Sequence, residues 1–134
     1  MDIVQEFLQV VEKLHSQDGC DWDKQQTFQT MKQHLLEEAN EVAVAIDNND
    51  ISELQEELGD LFLNILHICE IAKQKELFDF NAVVDGIKAK MIRRHPHVFG
   101  NMKFNTMEEL MVHWNKVKEE EKLEKVKRKG EING

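Results

Sequence analysis

The sequence has little of what marks secreted or membrane proteins. It contains only two cysteines, Cys20 and Cys69, and neither belongs to a Cys-x-x-Cys pair. It has no apolar run of the roughly 18 residues that a membrane span needs. The N-terminus lacks the basic and apolar regions of a signal peptide. We therefore expect a cytoplasmic protein in which Cys69, within an apolar helical run, is a buried free thiol.

Basic residues are also in short supply. The 134 residues include 17 Lys and Arg against 26 Asp and Glu, which gives a formal net charge of −9. General binding of nucleic acids or anionic membranes requires a basic surface, so both are disfavoured. An anionic substrate would need a metal ion or a local cluster of cations.

Strand patterns, internal repeats and Gly-rich phosphate loops are absent, and Pro96 is the only proline. Apolar residues instead recur at helical spacing. The pattern predicts an all-α fold, a helical bundle of four main helices plus one or two peripheral helices. The main runs are residues 2–14, 31–48, 51–75, 80–94 and a last helix from 106. We expect one domain over residues 1–121, followed by a charged tail, residues 122–134, that frays into solvent.

Two acidic motifs lie on consecutive predicted helices. Glu38 and Glu41 are three residues apart, as are Glu57 and Asp60, so each pair shares a helix face. Such close like charges repel unless a cation neutralises them. Oxygen ligands without matching Cys or His favour a hard ion, Mg²⁺ or Mn²⁺. Gly59 costs about 1 kcal/mol of helix propensity, which indicates a close approach by a helix or a phosphate.

A helical wheel places both acidic pairs at the border of an apolar stripe. The predicted stripe of the first helix is Leu35, Leu36, Ala39, Val42, Ala43 and Ile46. That of the second is Leu54, Leu58, Leu61, Ile65 and Ala72, with Glu57, Asp60, Asn64 and His67 along its polar edge. Because a short connection, residues 47–50, joins the helices, we expect them to pack antiparallel with the acidic edges facing each other. We expect His67 to be a surface residue; a supporting role beside the metal ligands is the other interpretation.

Cations are paired on the later helices. Lys90 and Arg94 lie one turn apart, and so do Trp114 and Lys118. In an acidic protein this pattern suggests a phosphate clamp beside an indole; solvated charges and a core Trp are the other interpretation. Trp22, in a polar loop, either packs onto its own domain or helps to wall a ligand pocket.

Five ordered sequence blocks resemble one family, the MazG-like nucleoside triphosphate pyrophosphohydrolases. The blocks are Gly19-Cys20-Asp21-Trp22-Asp23 with Gln26-Thr27, Leu36-Glu37-Glu38-Ala39-Asn40-Glu41-Val42, Glu56-Glu57-Leu58-Gly59-Asp60-Leu61, Arg93-Arg94-His95-Pro96-His97-Val98-Phe99 and Trp114-Asn115-Lys116-Val117-Lys118. The resemblance runs from about residue 14 to residue 121. Asp21 stands where family members usually have Pro, and Asn40 where an aromatic residue is frequent.

The resemblance implies an all-α NTP pyrophosphatase fold, a homodimer or higher oligomer, and Mg²⁺-dependent cleavage of nucleoside triphosphates to monophosphate and pyrophosphate. The implied metal ligands are Glu38, Glu41, Glu57 and Asp60, with Glu37 as an auxiliary carboxylate. The implied nucleotide-binding residues are Lys90, Arg94, Trp114 and Lys118.

These expectations combine into a mechanism. Mg²⁺ would contact phosphate oxygens and acidify a water, the cations would neutralise developing charge, and Glu37 or Glu41 would deprotonate the water that attacks the α-phosphorus. Two other functions remain open. One is a related all-α pyrophosphohydrolase specific for dUTP or phosphoribosyl-ATP, and the other is a non-catalytic helical interaction module.

Overall fold

A computed structural model describes residues 2–133, with the side chains of residues 2–130, and within them it contains helices and turns but no strand. The helices are α1 (Ile3–Leu14), α2 (Asp21–Lys24), α3 (Phe28–Asp47), α4 (Ile51–Gln74), α5 (Phe80–Arg94), α6 (Pro96–Phe99) and α7 (Met107–Asn133). The predicted all-α class is confirmed. The two short helices, α2 and α6, lie in segments that the sequence pattern predicted as loops.

Side-chain caps set the start of the main helices. Asp2 caps α1 and Asp50 caps α4, each by accepting a hydrogen bond from the backbone N–H three residues on. At α3 two nearby threonines, Thr27 and Thr30, are candidates for the cap. Thr27 is the cap: its hydroxyl accepts from the Thr30 N–H at 3.2 Å, while its own N–H donates to the Thr30 hydroxyl at 2.8 Å. This reciprocal pair satisfies two N–H groups that have no partner within the helix.

The chain divides into two compact units after Val83, within the first turns of α5. The core of the first unit is built on Val11 of α1, Met31 of α3 and Leu66 of α4, all almost completely buried. Cys69 is buried as a free thiol, as predicted. The aromatic ring of Phe62 adds to this core, since it lies 6.0 Å from the Phe7 ring and 6.4 Å from the Phe80 ring.

α3 and α4 form the most extensive helix pair of the first unit. The short connection of residues 48–50 makes them antiparallel neighbours, as expected. The faces in contact, however, include only part of the predicted apolar stripes, namely the half-buried or buried residues Leu35, Val42, Leu54, Leu61 and Ala72. Leu36 and Ile46 of α3 are 57% and 56% exposed, and Leu58 of α4 is 49% exposed.

The predicted stripes are therefore confirmed only in part for the single chain, and the reason lies in which face of each helix meets its neighbour. On α3 the covered line begins at Met31, passes through Glu38 and ends at Ala45. On α4, Glu57, Asn64 and His67 are buried, although the sequence placed them at a polar edge. A helical wheel identifies the more apolar side of a helix, but it does not show which neighbouring helices pack against that side. The acid-bearing faces meet inside the chain, and much of the apolar side stays exposed.

In the second unit, Val117 of α7 is the buried apolar residue among the side chains described. α7 continues to Asn133, although residues 122–134 were expected to fray; residue 134 lies outside the described residues. Two features favour a continued helix here. Glu119 and Lys122 form an ion pair at 3.6 Å, and α7 contains no Gly or Pro before Gly130. None of the described helices combines the length and the hydropathy that crossing a membrane requires.

Candidate functional site

Three carboxylates converge where α3 meets α4. Glu38 of α3 and Glu57 and Asp60 of α4 each offer an oxygen, and these oxygens all lie within 4.8 Å of one another. Glu57 is buried, and the other two are half-buried. The one-turn spacing of Glu57 and Asp60 aims both toward α3, and Glu38 lies on the covered line of that helix. Three of the four predicted ligands are thus brought together, and we call them the acidic cluster.

The acidic cluster has no cationic partner among the described residues. The Oε2 atom of Glu38 is buried and receives no hydrogen bond from them. Within the described residues, none of the three carboxylates forms a salt bridge with Lys, Arg or His. A buried carboxylate oxygen without a donor is costly. The cluster therefore has the chemistry of a hard-cation site: oxygen ligands, excess negative charge and an unsatisfied lone pair.

Titration of Glu57 reflects this crowding. Its hydrogen bond with Glu53 acts to lower the pKa of Glu57, but the hydrogen bond with Glu38, burial, and repulsion by Glu38 and Asp60 together raise that pKa above its usual value. The pKa of Glu53 is also raised, chiefly by its hydrogen bond with Glu57. Glu53, one turn before Glu57, was not singled out from the sequence, although the i, i+4 spacing could have indicated it.

Two predicted carboxylates lie outside the acidic cluster. The structure does not bring Glu41 into it, and this side chain is exposed on α3. Glu37 is also exposed: it accepts a hydrogen bond from Gln33 Nε2 at 3.2 Å and lies 3.9 Å from His34 Nδ1. Their exposure leaves both carboxylates open to solvent one turn or less from Glu38.

The second unit holds the predicted cations. The Arg94 guanidinium lies over the Trp114 ring, 5.3 Å from its centroid. Lys90 and Arg94 line one groove between α5 and α7. Lys118 lies one turn after Trp114 and is exposed. The Trp114 and His95 rings are also in edge contact, with their centroids 5.0 Å apart, so the indole is packed on two sides.

A carboxylate that the sequence analysis did not single out also contacts Arg94. Glu121 accepts hydrogen bonds from Arg94 Nε at 2.8 and 3.2 Å and from Arg93 Nη2 at 2.9 Å. The hydrogen bond from Arg94, followed by that from Arg93, lowers the pKa of Glu121. Glu121 is seven residues after Trp114 on α7, a helical spacing that places both on one face and could have indicated this contact.

A buried polar pair ties the α2 segment to α4. His67 is 4% exposed, and its Nε2 lies 3.6 Å from Oδ1 of Asp23, which is also buried. The prediction of a surface His67 was therefore wrong. The physical reason is that the polar side of α4, which carries His67, is buried. There His67 contacts residues from the end of α1 and from α2. Because those partners are distant in sequence, no helical periodicity could reveal them.

Trp22 precedes Asp23 and remains 54% exposed. Its ring lies 5.4 Å from the ring of His34, one turn before Glu38 on α3. Neither of the two sequence interpretations fits fully. The indole contacts its own unit on one side and presents the rest of its surface to solvent.

Comparison with known proteins identifies the family. Residues 26–99 match the model of the MazG nucleotide pyrophosphohydrolase domain. The chain belongs to this family. The matched segment of this MazG domain contains the whole acidic cluster together with Lys90 and Arg94, whereas Trp114 and Lys118 lie beyond it.

Several curated proteins are similar to this MazG chain. A nucleoside triphosphate pyrophosphohydrolase/pyrophosphatase MazG of Thermotoga maritima is 37% identical over 132 residues, which cover 98% of this chain and 50% of that protein. A nucleoside triphosphate pyrophosphohydrolase of Escherichia coli (strain K12) is 36% identical over 126 residues, 93% of this chain and 48% of that protein. YabN of Bacillus subtilis, described as uncharacterized, is 39% identical over 116 residues, 87% of this chain and 24% of that protein.

The chain thus spans about half, or less, of the length of these curated relatives. A crystal structure of a MazG-related protein from Thermotoga maritima resembles the fold with a TM-score of 0.73 at 28% sequence identity, covering 86% of this chain and 98% of that one. The all-α NTP pyrophosphatase type expected from the sequence is consistent with this neighbour.

Proposed function

We propose that the chain hydrolyses nucleoside triphosphates to nucleoside monophosphate and pyrophosphate, with Mg²⁺ as cofactor and Mn²⁺ as a possible substitute. The observation that carries this proposal is the acidic cluster of Glu38, Glu57 and Asp60, with its unpaired buried oxygen. Membership of the MazG family supports a hydrolase acting on phosphoric anhydride bonds. The similarity to nucleoside triphosphate pyrophosphohydrolases supports the substrate class.

The acidic cluster would hold the cation. Glu41, three residues after Glu38 on α3, is a further candidate ligand. When bound, the cation supplies positive charge for phosphate oxygens and acidifies nearby water. The chain's own carboxylates contribute a base. Glu37 and Glu41 are exposed, so either can accept a proton from the water that attacks the α-phosphorus.

Lys90, Arg94 and Lys118 would bind the phosphate oxygens, and Trp114 would hold Arg94 in place. Charge-assisted hydrogen bonds of this kind grow stronger as negative charge develops in the transition state. Trp22, exposed beside His34 and one turn from the acidic cluster, offers an aromatic surface on which a base can stack. The ion pairs of Glu121 support a MazG domain that extends to residue 121.

We further propose that the chain is a homodimer, with the exposed apolar face of α3 and α4 as its interface. Leu36, Ile46, Leu58 and Ile65 are at least 37% exposed although they lie on two long helices. Large apolar side chains exposed on two neighbouring helices favour a partner that covers them. Sedimentation is expected to show a dimer at micromolar concentration, and a monomer would contradict the proposal.

The function is tested with a panel of nucleotides that includes the standard NTPs and dNTPs, dUTP and phosphoribosyl-ATP. We expect pyrophosphate release from several triphosphates in the presence of Mg²⁺ and none after chelation. Release from dUTP or phosphoribosyl-ATP alone would instead indicate the narrower enzyme. No release from any nucleotide would indicate an interaction module.

A further inference from the structure

The Arg94 guanidinium is held on two sides by residues of α7. Its face lies over the Trp114 ring at 5.3 Å, and its Nε donates to both oxygens of Glu121 at 2.8 and 3.2 Å. The side chains of Arg94 and Glu121 are only 13% and 15% exposed. A stacked face and a fixed edge leave a planar guanidinium little rotational freedom.

The contact with Glu121 occupies only one edge of that guanidinium. Within the described residues, the hydrogen bonds of Arg94 all use Nε, and its two terminal amino groups have no protein partner. These two groups form the fork that binds two oxygens of a phosphate. The contact with Glu121 thus orients the two terminal amino groups and leaves both of them able to bind an anion.

The charge balance around Glu121 is compatible with an anion. One carboxylate is shared by two guanidinium groups, because Arg93 Nη2 also donates to it at 2.9 Å. The three groups carry one net positive charge. The groove as a whole is lined by five cations (Lys90, Arg93, Arg94, Lys125 and Arg128) and three carboxylates (Glu120, Glu121 and Glu124). Because cations exceed carboxylates, this part of an acidic protein can still attract phosphate.

Glu121 differs from its acidic neighbours on α7. Glu120 lines the groove but forms no salt bridge within the described residues, and Glu119 pairs with Lys122 at 3.6 Å. Of the three consecutive carboxylates at positions 119, 120 and 121, only Glu121 lies on the face of Trp114, two turns away. Glu120 therefore serves as a matched control: it has the same chemistry and an adjacent position but no contact with arginine.

We propose that Glu121 is a positioning residue for substrate binding, which fixes the Arg94 guanidinium so that its terminal amino groups meet the triphosphate. This inference rests on the proposed function, in which Arg94 binds phosphate. Glu121 itself does not touch the substrate. Because Glu121 already restrains Arg94, the arginine loses less conformational entropy when the substrate binds.

The test compares Glu121→Gln, Glu121→Asp and Glu120→Gln with the unmodified chain, alone and combined with Arg94→Ala. Steady-state hydrolysis of ATP with Mg²⁺ gives kcat and KM. Binding of inorganic tripolyphosphate, measured by calorimetry at fixed free Mg²⁺, gives a readout that does not depend on hydrolysis. Thermal unfolding shows whether each variant is folded.

Glu121→Gln is expected to lower kcat/KM about tenfold and to weaken tripolyphosphate binding by a similar factor. Glu121→Asp keeps the charge and should stay within about threefold of the unmodified chain, and Glu120→Gln within about twofold. In the Arg94→Ala background, Glu121→Gln should cause no further loss, because residues that act as a unit are not additive.

Several results would overturn the inference. They are unchanged or stronger tripolyphosphate binding by folded Glu121→Gln, an equal loss in Glu120→Gln, or a further tenfold loss in the double variant. If no nucleotide is hydrolysed but tripolyphosphate binding still depends on Glu121 and Arg94 together, the proposed function fails while the positioning role stands. If tripolyphosphate does not bind at all, both fail.

Discussion

The Nε2 atom of His15 lies 2.8 Å from the Nδ1 atom of His67, so only one of these two facing nitrogens can carry a proton. With Asp23 facing His67 Nε2 at 3.6 Å, a consistent arrangement has His15 Nε2–H donating to His67 Nδ1 and the ring proton of His67 on Nε2, toward the Asp23 carboxylate. Burial lowers the pKa of both histidines. The charges of Glu70 and Asp23 partly oppose this shift at His15, and Asp23 does so at His67, where His15 and His34 lower the pKa further.

Stability should therefore fall in mild acid. Because both folded-state pKa values lie below the ordinary value of 6.5, the unfolded chain binds more protons as pH drops through that value, and the free energy of unfolding decreases. We expect a decline between about pH 7 and pH 5, measured by urea unfolding. In His15→Gln, which cannot titrate, the decline should be shallower. An identical pH dependence in both proteins would contradict this account of the pair.

Cation binding should have a measurable effect on stability. In the unmodified chain, Mg²⁺ is expected to raise the unfolding temperature, because only the folded state assembles Glu38, Glu57 and Asp60. Glu38→Gln should unfold at a higher temperature than the unmodified chain in chelator, since one repelling charge is removed, but should gain nothing from Mg²⁺ and release no pyrophosphate. Glu56→Gln, the adjacent carboxylate outside the cluster, is the control. A normal Mg²⁺ response in Glu38→Gln would exclude Glu38 as a ligand.

Two helical glycines allow a matched test of the proposed interface. Neither Gly59 of α4 nor Gly86 of α5 has another atom of the chain within 4 Å of where a Cβ would lie. Alanine gains about 1 kcal/mol of helix propensity over glycine, and Gly86→Ala should gain about that amount. If a second copy approaches α4, Gly59→Ala should gain less and should weaken the dimer in sedimentation. Equal gains with unchanged self-association would show that nothing approaches Gly59.

α3 and α4 end in the same backbone motif with different residues at the left-handed position. After α4, Glu76 has φ 58°, and after α3, Asn49 has φ 53°. At both ends the N–H of the next residue donates a hydrogen bond to the carbonyl five residues earlier. These bonds run from Leu77 to Ala72 after α4 and from Asp50 to Ala45 after α3, each at 3.0 Å. Such positions favour Gly and tolerate Asn, whereas a longer side chain is strained.

Glu76→Gly should therefore stabilise the chain, by about 0.5–1 kcal/mol, whereas Asn49→Gly should change stability by only a few tenths of a kcal/mol. Urea unfolding of both variants at neutral pH provides the comparison. A gain at position 49 as large as that at position 76 would show that left-handed strain is not the cause.

The sequence predicted local features better than partners. The bounds of α5 follow from its periodicity and Pro96, and the one-turn spacing of Glu57 and Asp60 led directly to the acidic cluster. The apolar stripes misled because Leu36 and Leu58 are apolar without being covered by their own chain. Asp23 and His67 meet across a long sequence separation. Glu121 stands in a run of charges, where its spacing from Trp114 indicates a shared helix face but not the arginine of α5 that it contacts. Contacts of this kind depend on tertiary packing, which no local pattern encodes.

The chain has two tryptophans, and the division after Val83 leaves one in each unit. Trp22 lies beside His34 in the first unit, and Trp114 lies between His95 and Arg94 in the second. Replacing either one with Phe yields a protein whose intrinsic fluorescence reports on a single unit. The emission of Trp22 would then follow events near the acidic cluster, and that of Trp114 events at the arginine. If Mg²⁺ and tripolyphosphate bind as proposed, the order of the two binding events can be timed without an added label.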